Sequence, residues 1–183
     1  MRRLLPLCSL LLASPAIAQE WLVDHAQSTL TFTGSQAGDP FTGEFTRFHP
    51  EIDFDPAKPE MGHIRVTIDM SSARLSDKQQ NDALPTADWF ATETYPQAVF
   101  ESQKIRTVST QGYEAKGTLT LRGISQPVIL PFTLTPQGES MRAEGETMLM
   151  RNQFGLGGSQ WADDRWVAYP VTVNFSLLAQ PKP

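Results

Sequence analysis

The sequence predicts an all-β fold, an antiparallel sandwich or up-and-down barrel of about eight strands. Three observations point there. Apolar and polar residues alternate with period two along most of the chain. Gly, Pro, Asp and Ser punctuate the alternating runs as short turns. A single stretch, Ser71 to Gln97, abandons the pattern.

Each strand can be read in turn from which residues share a face. Leu30, Phe32 and Gly34 share one face against Thr29, Thr31 and Thr33. A second run from Phe45 reaches Ile52 and Phe54, with Pro50 marking an edge or a bulge. Ile64, Val66, Ile68 and Met70 then alternate with His63, Arg65, Thr67 and Asp69. Ala98, Phe100 and Ser102 follow, then Tyr113, Ala115, Gly117, Leu119 and Leu121. Val128, Leu130, Phe132 and Leu134 form the next set. Met141, Ala143, Gly145, Thr147 and Leu149 precede the last, Val171, Val173, Phe175 and Leu177.

Within the irregular stretch, Asp77 to Leu84 reads as a short helix capped by Ser76 or Asp77 and ended by Pro85. Asp88-Trp89-Phe90 suggests one more helical turn. So long an insertion between strands is expected to be a lid, or a plug closing one end.

The chain opens with Met1-Arg2-Arg3, an apolar run from Leu4 to Leu12, and Ala16-Ile17-Ala18. That order is a secretory signal peptide, and the run is too short to span a bilayer. Residues 1–18 are therefore expected to be cleaved, leaving 19–183 as one periplasmic domain. Leu7 before Cys8 argues against a lipoprotein. Cleavage removes Cys8, the chain's one cysteine, so no disulfide is expected. It also removes Arg2 and Arg3, taking the formal net charge from −5 to −7. Such an acidic surface repels phosphate polymers, and nucleic acid is not an expected partner.

No catalytic constellation emerges. His25, His49 and His63 fall in separate segments, without the spacing of a metal site. Glu144 and Glu146 share the face opposite Ala143 and Gly145, a solvated outer face. Asp163-Asp164 is the other acidic pair. No serine sits in a nucleophile elbow, and Gly155-Leu156-Gly157-Gly158 is followed by no Lys-Ser or Lys-Thr. No metal, no cofactor and no enzymatic activity are expected.

What remains is apolar surface. An eight-stranded barrel either fills with side chains or holds one slender ligand. Gly117 and Gly145 on inward faces would leave room. Trp89, Phe90, Phe154 and Trp161 lie off the strands, where they could line a mouth.

Several segments resemble the YceI-like family of exported lipid- or polyisoprenoid-binding proteins. Trp21-Leu22-Val23-Asp24 with Ser28 to Phe32 is similar to its first strand, and Gly43 to Phe48 with Ile52 to Asp55 to its second. Asp88-Trp89-Phe90, then Tyr95-Pro96-Gln97-Ala98-Val99-Phe100-Glu101-Ser102, resembles the middle signature. Gly117-Thr118-Leu119-Thr120-Leu121-Arg122-Gly123, with Ser125 and Pro127-Val128, is the most diagnostic run. Arg151-Asn152-Gln153-Phe154-Gly155 resembles the late Arg-x-x-Phe-Gly element. Two departures stand out. Gln27-Ser28 replaces a frequent His-Ser, and Asn81-Asp82-Ala83-Leu84-Pro85 lacks the usual histidine. The variant resembles the branch associated with membrane cytochromes b.

The resemblance implies a lipocalin-like, eight-stranded barrel around an apolar pore for an isoprenoid tail, that of a ubiquinone-like or polyprenyl lipid. With the alternation, it puts Phe32, Phe45, Ile68, Phe100, Leu119, Leu121, Phe132 and Phe175 on the pore wall. Leu84, Trp89 and Phe90 would guard one end, and Arg122 or Arg151 would meet a headgroup. The expected partners are an isoprenoid lipid or quinone, with a membrane cytochrome b and a second copy of the chain as further candidates. Three rival readings are an accessory to a cytochrome b and quinone redox system, an enzyme acting on the lipid headgroup with Arg122 and Arg151 holding a phosphate, and a filled barrel serving only as an interaction module.

Overall fold

The computed structural model describes residues 19–183; the expected signal peptide, with Cys8, lies outside the described residues. The first hairpin joins β1 (Glu20–Gln36) to β2 (Asp39–Phe45). β3 (Phe48–Asp53), β4 (His63–Asp69) and β5 (Ala73–Leu75) follow. A helix, α1 (Lys78–Ala83), precedes β6 (Gln97–Thr107), β7 (Gly112–Leu121), β8 (Ile124–Gln137), β9 (Ser140–Met150) and β10 (Pro170–Pro181).

The ten strands make eight staves. β2 and β3 lie in succession along one flank of β1, pairing with its C-terminal and N-terminal ends respectively. β4 and β5 likewise lie in succession, against β3 and β2. The helical turn Met70–Ser72 links them. From there β6 to β10 pair in sequence order, and β10 returns to β1, closing an up-and-down antiparallel barrel. Closure removes most of the ladder edges an open sheet would leave, β5 and the middle of β3 keeping one side unpaired. Pro50 sits in β3 opposite Val66, where the strand has no ladder partner on its β1 side, so its missing N–H costs nothing.

Two-residue loops turn the β1–β2, β7–β8 and β8–β9 hairpins. Ala37-Gly38 and Arg122-Gly123 both hold two consecutive positive φ angles, the primed turn that matches strand twist. Two irregularities change which side chains face inward. Between Asp24 and Thr29 the β1–β10 register shifts, so Trp21 faces the core before the shift and Leu30 and Phe32 after it. Between Ser102 and Lys104 a second shift takes inward residues from Phe100 and Ser102 to Ile105, which is fully buried.

The inserted segment folds over one end of the barrel. Asp77 caps α1, its carboxylate accepting from the Gln80 amide at 2.8 Å. Beyond Pro85 the chain makes a series of turns in place of a second helix, tied by Trp89 N–H to the Thr86 carbonyl and Phe90 N–H to that of Leu84. The loop from Arg151 to Tyr169 covers the same end, stitched to the first hairpin by Ala37 N–H on the Trp166 carbonyl and Ala168 N–H on that of Ser35.

Candidate ligand-binding pore

An apolar cavity of about 250 Å³ runs inside the barrel. Inward faces of all eight staves supply its wall, so it follows directly from the alternation. Phe32, Phe45, Ile68, Phe100, Leu119, Leu121, Phe132 and Phe175 all line it. Leu84, Trp89 and Phe90 line it too, at the end beneath the inserted segment, together with Phe154, Leu156 and Val167. Phe32, Phe45 and Phe90 form an aromatic cluster there, with ring centroids 5.1 to 6.4 Å apart. The polar exceptions in the wall are Thr147 and Arg151.

Toward the opposite end, the rings of Phe54, Tyr113 and Phe132 pack against one another at 5.2 to 5.9 Å. Trp21 adds to this cluster, its indole N–H donating to the Phe54 carbonyl at 2.8 Å. The cavity is thus an apolar tube narrowed by rings toward this end. Its volume falls just below the roughly 300–1,000 Å³ of typical small-molecule sites. A long guest requires some of these rings to turn aside.

The inward glycines do not leave room. A Cβ on Gly117 would lie 2.8 Å from the Phe100 ring and 2.3 Å from the Glu101 carbonyl oxygen. One on Gly145 would meet the Phe175 ring at 2.8 Å and the Pro131 carbonyl oxygen at 2.2 Å. Each glycine is a seat on which a neighbouring phenylalanine lies flat, so these positions bring rings into the bore instead of widening it.

The two arginines expected to meet a headgroup are occupied otherwise. Arg151 is 2% exposed. Its guanidinium donates to the carbonyls of Leu156, Trp161, Asp163, Val167 and Ala168 at 2.7 to 3.1 Å. Burial holds its pKa below the ordinary arginine value, with Tyr169, Asp164 and Asp163 acting in the opposite sense. Arg122 donates to the carbonyls of Ala87, Asp88, Trp89 and Gly155. Carbonyls at loop ends need donors, and a guanidinium fork satisfies several at once. Both residues pin the covering loops to the barrel mouth, and their donors do not point into the bore.

A second pocket of about 480 Å³ lies on the outer side of this cover. Leu84, Trp89 and Val167 belong to both cavities, so these side chains form a shared wall between them. Trp161 lines this outer pocket, with the Trp89 ring 6.2 Å away. The sequence pattern gave no signal for it, because its walls come from four distant segments.

Comparison with known proteins agrees with this architecture. The model of the YceI-like domain matches residues 21–179. A UPF0312 protein of Azotobacter vinelandii is 27% identical over 157 residues, covering 81% of this chain and 82% of that protein. The crystal structure of Burkholderia cenocepacia BcnA superposes with a TM-score of 0.84 at 35% identity, over 87% of this chain and 100% of that one. A polyisoprenoid binding domain from Saccharophagus degradans shares the fold, with a TM-score of 0.68 at 15% identity over 91% and 99% of the two chains. With the match running from the first strand to the last, the chain belongs to the YceI-like family.

Proposed function

We propose that this protein is an exported, non-enzymatic carrier that encloses the isoprenoid tail of a quinone or polyprenyl lipid in its barrel. The observation that carries this reading is the apolar tube, lined from all eight staves and roofed at one end by a pinned cover. The polyisoprenoid binding attributed to the Saccharophagus degradans domain supports it through shared fold. The N-terminal sequence supports delivery to the periplasm.

Energetics favour exchange over extraction. Against water, each buried methylene is worth roughly 0.8 kcal/mol. A bilayer is as apolar as the tube, so moving a tail from membrane to barrel gains almost nothing. The protein would therefore buffer or shuttle a lipid, and would not strip it irreversibly.

Organic extraction of the purified mature protein, followed by mass spectrometry, tests this. A stoichiometric prenyl lipid is expected. Absence of any co-purifying lipid, together with no uptake of added quinone, would contradict it. The cytochrome b association rests on sequence resemblance and is tested by pull-down from solubilised membranes. Light scattering of the purified protein tests for a homodimer.

A further inference from the structure

The outer pocket differs from the pore in chemistry. Its walls come from the β1–β2 hairpin, β5, α1 and the loop after Arg151. Gln36 and Gln80 meet there, the Gln80 amide donating to Gln36 Oε1 at 2.6 Å in a half-buried position. Asp39 and Asp77 line it, the Asp77 carboxylate also capping α1, and among the described residues no lysine or arginine lines the pocket. The nearby cations are engaged, Lys78 with Asp82 and Arg165 with Asp163. Arg151 lies on the pore side of Trp89 and spends its donors on loop carbonyls. Phe41, Trp89 and Trp161 supply flat apolar faces.

We propose that this pocket seats the headgroup of the bound lipid and selects an uncharged, hydrogen-bonding headgroup over a phosphate. The inference rests on the reading that the barrel holds a prenyl tail. The shared wall of Leu84, Trp89 and Val167 gives the geometric link, since a tail passing between these side chains leaves its head in the pocket. The Gln36–Gln80 pair leaves the Gln36 amide as donor and Gln80 Oε1 as acceptor, which suit a hydroxyl or a ring carbonyl. A phosphate there would face two carboxylates with no cation to offset its charge, and would lose hydration without compensation.

Calorimetric titration with farnesol and farnesyl phosphate, which share one tail and differ only in headgroup, tests this in the mature wild-type protein. Farnesol is expected to bind on the order of tenfold more tightly at low salt, and the ratio to shrink as salt screens the carboxylates. Asp39→Lys is expected to narrow or invert the ratio, and Asp39→Asn to narrow it. Gln80→Leu is expected to weaken farnesol with less effect on the phosphate, and circular dichroism checks each variant's fold. Equal or tighter phosphate binding in the wild type, or a ratio unmoved by Asp39→Lys, overturns the headgroup assignment while leaving the tail reading standing. Binding of neither ligand overturns both.

Discussion

The guanidinium carbon of Arg151 lies 5.7 Å from the centroid of the Trp89 indole. On its other side the Tyr169 ring is 5.2 Å away. One buried cation thus joins the inserted segment, through Trp89, to the loop that leads into β10. Its N–H groups also satisfy five carbonyls of that loop.

Arg151→Met removes those donors while keeping apolar volume. Buried carbonyls left without partners cost about 1–3 kcal/mol each, less what water recovers as the loop relaxes. A loss of about 3 kcal/mol in urea unfolding is expected, with faster hydrogen exchange at Leu156 and Trp161. Lysine, with a point charge in place of a planar fork, should rescue little. A loss below about 1 kcal/mol would show that the loop stands without the clip.

Leu121→Trp places a bulky ring in the wall of the bore, next to Arg122, which is tied to the inserted segment. Quinone uptake is expected to fall by about tenfold or more, against an overpacking cost of roughly 1–3 kcal/mol that leaves the barrel folded. Unchanged uptake, measured by quenching of tryptophan fluorescence, would mean that the tail takes another route.

Gly145→Ala tests the ring seats. Its Cβ would collide with the Pro131 carbonyl and the Phe175 ring, so β8 and β9 must part or the ring must leave. A destabilisation of about 2 kcal/mol is expected by thermal unfolding. A neutral substitution would show that Phe175 moves freely.

Most of the barrel could be read from sequence. The inward faces of the later strands appear directly, because a strand buried on one side must alternate. The reading failed where the chain breaks its own period. Ile105 escaped it because the shift after Ser102 swaps the faces of β6, and no local signal marks that bulge. The pore wall followed from alternation together with the family resemblance, yet the glycines misled, since sequence cannot say whether a gap is empty or taken by a cross-strand ring. The arginines were visible, but not the loop carbonyls they serve. The outer pocket stayed hidden because Gln36 and Gln80 meet only after closure.

Acid stability offers a separate check on the link between β4 and β5. The Ser71 hydroxyl, and then Arg47, hold the Asp69 carboxyl below its ordinary pKa of 3.8, against the opposing effect of burial. Asp69 also accepts from the Ser71 amide at 2.9 Å, fixing the turn that follows β4. A depressed carboxylate contributes fully above 3.8 and is lost as pH falls through its folded-state value. Asp69→Asn should therefore lower the Tm at neutral pH, and the gap from wild type should shrink as pH falls below 3.8. A gap independent of pH would assign the effect to packing.

Native mass spectrometry of delipidated mature protein, titrated with a prenyl alcohol, tests the carrier reading most directly. One ligand per chain is expected in the wild type, with little or none in Leu121→Trp. No adduct in the wild type, or an equal one in the variant, would contradict a lipid tail inside this barrel.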